Sequence, residues 1–280
     1  MKKIFLVNVI AAFVVIVWGS VVRNAGAGLG CPDWPLCHGQ IIPPPQVDAW
    51  IEWIHRFLAS LVGFITLGTF LFISFKKNLR KKYFLLSLLS FILLIIQALL
   101  GARAVTTELQ PHYVVIHLAV ALIFFSILLI MYLKEKNTFY ELSNNIGQQK
   151  NIVLLILIFV GFLFYLQSLM GGWVAATGGG EHCPEFPDCL FQGFLKFHVW
   201  GAFFVFVATY GLVFFARTLK ITGSLKGSIS GLFMGTAVQI IIGVGNVYFG
   251  LPLWAGVLHT ALATGLFAML VAMTYRLIKS

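Results

Sequence analysis

The chain has 280 residues, of which 60% are hydrophobic and 10% charged, and its mean hydropathy is +0.95. An ordinary soluble domain carries roughly 25% charged residues, so a water-soluble globule is excluded. The net charge of +10 does not point to nucleic acid, because Lys and Arg sit in short clusters between apolar runs, where membrane topology accounts for them.

A helix needs about 20 apolar residues to cross a hydrocarbon core about 30 Å thick. In chain order, runs bounded by charge or by Gly and Pro predict helices near 4–22, 50–75, 83–102, 112–133, 152–173, 193–216, 228–248 and 254–275. The expected fold class is an all-α polytopic membrane protein with eight transmembrane helices. Basic residues cluster at Lys2, Lys3, then Lys76, Lys77, Arg80, Lys81, Lys82, then Lys134, Lys136, Lys150, then Arg217, Lys220, Lys226, and finally Arg276 and Lys279. By the positive-inside rule that side, with both termini, is expected to be cytoplasmic. The other side carries only Arg23, Arg56, Arg103 and Lys196, yet holds seven of the nine acids: Asp33, Asp48, Glu52, Glu108, Glu181, Glu185 and Asp188.

The sequence repeats. Gly19-Ser-Val-Val22 leads to Cys31-Pro-Asp-Trp-Pro-Leu-Cys37, and Gly171-Gly-Trp-Val174 leads to Cys183-Pro-Glu-Phe-Pro-Asp-Cys189, at a constant offset of 152 residues. Gln97-Ala-Leu-Leu-Gly101 matches Gln239-Ile-Ile-Ile-Gly243, and His117 matches His259, at an offset of 142. Two pseudo-symmetric four-helix halves in the same orientation follow, 1–150 and 151–280. Met1-Lys2-Lys3 before the first apolar run also suits a cleaved signal peptide, with Ala25-Gly26-Ala27 as its processing site. The repeat gives that run a twin in helix five, so it is kept as helix one.

All four cysteines fall in loops on the outer side, where thiols pair. Local disulfides Cys31–Cys37 and Cys183–Cys189 are expected. Each ring is read either as a loop staple or as a redox-active pair beside a site. Haem attachment of the c type does not fit, since Cys37-His38 lacks a cysteine three residues before Cys37, and the spacing is not that of a zinc site.

Of the seven histidines, His38, His112 and His182 lie in outer loops or at helix margins. His55, His117, His198 and His259 each lie about one to two turns inside the outer end of an even-numbered helix. An isolated intramembrane histidine is explained as an interhelical hydrogen-bond donor. A set of four at matched positions points instead to axial ligation of haem iron, with His55 and His117 as one pair and His198 and His259 as the other. All four lie toward the same face, so the sites sit side by side, which argues against a wire across the membrane.

The halves differ at Glu52, three residues before His55 and so on the same helical face, where the position before His198 is Leu195. Glu52 is read either as capping the helix N-terminus or pairing with Arg56 at i+4, or as a proton acceptor and countercharge in the pocket. Arg56, with Arg23, Arg103 and Lys196, suits either haem propionates or the membrane interface. Gln97 and Gln239 either bond a ligand or lock helices together.

The E-x-x-H-R motif of Glu52 to Arg56, the paired C-P-x-aromatic-P-x-C loops and one histidine on each even helix resemble the haem A synthase family, also called the cytochrome oxidase assembly proteins. The resemblance spans nearly the whole chain. It implies a membrane haem-dependent oxidoreductase that oxidises a ring methyl of haem O to the formyl group of haem A by successive hydroxylations, for assembly of terminal oxidases. It implies substrate haem O bound by His55 and His117, Glu52 as the catalytic carboxylate, and a permanent haem B held by His198 and His259. Bacterial members with both cysteine pairs share this pattern, the first pair sometimes being assigned a role in electron or haem transfer. The implied setting is a bacterial-type plasma membrane, with haem O synthase and the assembling oxidase as partners, a homo-oligomer as an open possibility and no nucleic acid. Two rival readings are a di-haem electron-transfer cytochrome, which leaves Glu52 unexplained, and a haem carrier, which needs a pocket that opens.

Overall fold

In hydrocarbon a backbone N–H or C=O finds no water, so a chain this apolar satisfies those groups within helices. The computed structural model describes residues 1–140, 149–179 and 186–280. Among them are eight long helices: α1 (Lys2–Asn24), α2 (Val47–Phe75), α3 (Lys77–Thr106), α4 (Pro111–Lys136), α5 (Lys150–Ala176), α6 (Leu195–Thr218), α7 (Gly223–Tyr248) and α8 (Leu253–Lys279). Each is long and apolar enough to cross a bilayer, and the protein is a multi-pass membrane protein. Glu181, His182, Cys183 and Glu185, and with them the expected Cys183–Cys189 pairing, lie outside the described residues.

Several helices outrun the apolar stretches that predict them. α3 begins at Lys77 instead of near 83, because an apolar run marks only the part in hydrocarbon, whereas Lys, Arg and Leu carry a helix onward into the interface. α6 begins two residues late, at Leu195, because Gly193 stands at φ +49°. α4 opens on Pro111, whose missing N–H is harmless at a first position, and closes on Asn137 in the left-handed conformation.

α1 packs on α2 and α4, and α3 packs on the same two, so α1 to α4 close a ring. α5 to α8 close a second ring in the same order. The rings meet where α1 touches α8 and α4 touches α5 and α8. One buried cluster runs across that seam, with Leu122 of α4, Leu157 and Phe164 of α5, and Leu270 and Met273 of α8. In neither ring do the diagonal even helices, α2 with α4 or α6 with α8, pack extensively on each other. The two histidine-bearing helices of each ring thus stand at opposite corners.

Both chain ends lie at the same end of the bundle. Met1 and Phe5 pack with Ile73, Tyr83 and Met131 near the α2–α3 turn, and the Tyr140 N–H donates to Ser280 Oγ at 2.7 Å. Side chains such as Phe64, Leu85 and Phe214 point outward and are exposed, as lipid-facing positions should be.

Candidate functional site

The loop after α1 folds back onto the start of α2. Cys31 and Cys37 form a disulfide with Cα atoms 4.6 Å apart. The two residues are 0% and 1% exposed and pack on Ala49 and Trp53 of α2. Gly30 passes so close to the Asp48 and Ala49 backbone that a Cβ would collide with it. Burial on this scale favours the loop staple over the redox-active pair, since exchange needs a thiolate to reach a sulfur. Asp33 folds the ring by accepting N–H bonds from His38 at 2.6 Å and Gly39 at 2.8 Å. These N–H groups, that of Gly39 foremost, hold its carboxyl below the usual carboxylate range.

Arg56 ties this loop to α2. Its Nε donates to Glu52 Oε1 at 2.9 Å, Nη1 donates to the carbonyls of Asp33 at 2.7 Å and Leu36 at 2.8 Å, and Nη2 donates to that of Cys31 at 2.8 Å. A guanidinium has five N–H donors in a planar fork, and this one is largely committed to protein acceptors. Glu52 is buried beneath it. Only its Oε1 is engaged, and Oε2 makes no hydrogen bond among the described residues. Of the other cations near this end of the bundle, Arg103 lies over the ring of Tyr113 and Lys196 over that of Phe197.

The four histidines occupy corresponding places. They lie from just under one turn (His198) to just over two turns (His55) inside their helices. Each imidazole rests on a glycine of the preceding helix. A Cβ at Gly19, Gly101, Gly171 or Gly243 would stand 3.3, 3.4, 2.9 or 2.9 Å from Cε1 of His55, His117, His198 or His259, respectively. The Nδ1 atoms of His55, His117 and His259 are buried without a partner, and that of His198 lies 3.0 Å from Gln167 Nε2. No Nε2 of the four carries a hydrogen bond among the described residues or counts among the buried unpartnered atoms, so Nε2 is the nitrogen left to meet a ligand.

The donor set fits a haem iron. The His198 and His259 rings lie on the diagonal helices α6 and α8 with centroids 6.4 Å apart. A metal between two imidazoles, with metal–nitrogen bonds of about 2.0–2.1 Å and about 1.2 Å from nitrogen to ring centre, separates the centroids by about 6.4 Å. His55 and His117 lie on the diagonal pair α2 and α4.

The glutamines act between helices. Gln97 Nε2 donates to the His117 carbonyl at 3.0 Å, and Gln239 Nε2 to that of His259 at 3.0 Å. Of the two roles open to them in the sequence, the locking of helices is the one built. Gln167 makes the same bond to the His198 carbonyl at 2.8 Å, and sequence reasoning missed it. The signal was present, because Gln167 precedes Gly171 by four residues as Gln97 precedes Gly101.

Two four-helix rings, each with a histidine on both of its diagonal even helices, define a polytopic membrane protein with paired intramembrane imidazoles. The profile of the cytochrome oxidase assembly protein family matches residues 2–271, and the chain belongs to that family. Among its relatives, a haem A synthase of Shewanella oneidensis is 27% identical, over 96% of this chain and 94% of that one. A haem A synthase of Bacillus licheniformis is 32% identical, over 71% and 68%, and one of Exiguobacterium sibiricum is 28% identical, over 95% and 92%.

Proposed function

We propose that the chain, like the relatives named haem A synthase, oxidises a ring methyl of haem O to the formyl group of haem A by successive hydroxylations. The first half, residues 1–150, takes haem O as its substrate between His55 and His117. The second half, residues 151–280, keeps a haem B between His198 and His259, which when bound supplies one-electron redox chemistry.

The observation that carries this reading is Glu52, a buried carboxylate one turn from His55, with Leu195 and no carboxylate at the corresponding place in the second half. Arg56 fixes the orientation of Glu52 through Oε1, which leaves Oε2 to take a proton or to face positive charge developing on the substrate. The stapled loop packs on Ala49 and Trp53 at the start of α2, on either side of Glu52 in the chain. The glycine cradles seat the four imidazoles at corresponding places in the two halves.

The distribution of Lys and Arg supports a topology with both termini in the cytoplasm and the cysteine loops and both sites toward the outer face of a plasma membrane. Haem O synthase and the assembling terminal oxidase are the partners this reading names, and pairing with a second copy is compatible with it.

The test is expression with a source of haem O, followed by extraction and chromatographic separation of the haems. Haem A or a hydroxylated intermediate is expected. Their absence from folded, haem-loaded protein overturns the assignment.

A further inference from the structure

Three of the four histidine helices are tied at the ligand itself. Gln97, Gln167 and Gln239 each stand one turn before a cradle glycine, and each donates to the backbone carbonyl of the histidine seated on that glycine. Before Gly19, which seats His55, the residue at that place is Val15. Valine has no donor, so the His55 carbonyl lacks the bond that the other three share.

What joins α1 to α2 on the outer side is displaced by a turn. Trp18 Nε1 donates to the Ile51 carbonyl at 3.0 Å. Trp18 and Ile51 also line an open, mostly apolar groove of about 430 Å³ between the end of α1 and the start of α2, together with Val47, Trp50 and Ile54. The next polar link between these helices, Asn8 to Thr66 at 3.1 Å, lies three turns further in. The α1–α2 seam is thus untied at the ligand and bounded by unfilled space beside it.

We propose that Val15 makes His55 the releasing ligand. The outer part of α2 moves off α1 along this seam to admit substrate and let product go, while His117, tied by Gln97, keeps its place. The second half, tied by Gln167 and Gln239 at both ligands, retains its haem. This rests on the reading of the first half as a substrate site, which must exchange its contents every turnover.

The test uses full-length protein loaded with ferric haem b, with transfer to an excess of a soluble apo-globin followed by absorbance. Substitution of one histidine pair at a time assigns the phases to the halves. Val15→Gln should slow release from the first half by about threefold to twentyfold, the range spanned by hydrogen bonds between membrane helices. Val15→Met has nearly the same bulk without a donor and should leave the rate unchanged. Gln167→Met should speed release from the second half alone, and Trp18→Phe should speed release from the first.

Equal rates for Val15→Gln and Val15→Met overturn the proposal. If Val15→Gln does not fold, unchanged rates in both Gln167→Met and Trp18→Phe overturn it. The rates are read on haem b and need no conversion. A lack of haem A would therefore remove the synthase reading and leave them standing, whereas haem A formation with unaltered rates would remove only the seam.

Discussion

Alanine at Gly171 or Gly243 places a methyl group 2.9 Å from Cε1 of His198 or His259, whereas at Gly19 and Gly101 the distances are 3.3 and 3.4 Å. Non-bonded carbons settle at about 3.5–4.0 Å, so the second-half methyls are roughly 0.6 Å or more too close and the first-half ones only a few tenths. An imidazole is rigid and its helix is packed, so the ligand must move. Overpacking of this kind costs about 1–3 kcal/mol, which corresponds to a fall of roughly 5- to 150-fold in haem affinity if the whole displacement falls on the ligand. The haem content of purified protein, from the absorbance of the reduced pyridine adduct, together with transfer to apo-globin, reads the effect. Gly171→Ala and Gly243→Ala should deplete the second half, with Gly19→Ala and Gly101→Ala remaining within about threefold of the native chain. A second-half haem held as firmly in Gly171→Ala and Gly243→Ala as in the native chain would refute the role given to the cradles.

Glu52→Gln keeps the volume and removes the charge. Haem A formation should fall by about a hundredfold or more with haem content unchanged, and conversion near the native rate would show that Glu52 is not the proton acceptor. His198→Ala should empty the permanent site, whereas His55→Ala should abolish conversion with the second-half haem retained; equal and complete retention of haem in both would contradict the assignment of the halves. Arg56→Lys keeps the charge but not the fork that reaches Glu52, Cys31, Asp33 and Leu36, so about 1–3 kcal/mol of stability should be lost and proteolytic nicking between residues 33 and 45 should rise. The carboxyl of Asp33 titrates below its usual range in the folded loop, so its contribution is present above the ordinary carboxylate pKa and is lost as pH falls through the lowered one. Pepsin cleavage of this loop should therefore steepen toward the acid end, and Asp33→Asn should flatten that dependence.

The helices and the four histidines were legible because each rests on a local property, namely apolar length for the first and an ionisable ring inside an apolar run for the second. Helix ends were less so. The start of α3 at Lys77 is set by helix-forming basic residues beyond the hydrocarbon, which an apolar count ignores. Arg56 was visible as a partner for Glu52 at i+4. Its three carbonyl acceptors were not, since backbone oxygens 20 to 25 residues earlier carry no signature in the sequence. Gln167 was hidden by the repeat itself, because its counterpart in helix one is Val15 and a search for matched polar residues passes over a position that is polar in one copy only.

Those one-sided positions gather around a single ligand. Glu52 faces Leu195 across the repeat, Arg56 faces Val199, and Val15 faces Gln167. The first two place charge beside His55, and the third removes a tether one turn before its cradle glycine. They depend on one another in order. A buried carboxylate needs a partner, and Arg56 provides it. The guanidinium in turn needs acceptors for its remaining N–H groups, and the carbonyls of Cys31, Asp33 and Leu36 are presented because the disulfide and the Asp33 turn hold the loop in shape. On the proposed function the staple acts on chemistry at one remove, by fixing the carbonyls that fix Arg56 and through it Glu52. Cradled imidazoles recur in both four-helix rings, and on the proposed function it is this chain of supports around His55, where the second copy has Leu195 and Val199 in place of Glu52 and Arg56, that equips one copy to act on what it holds.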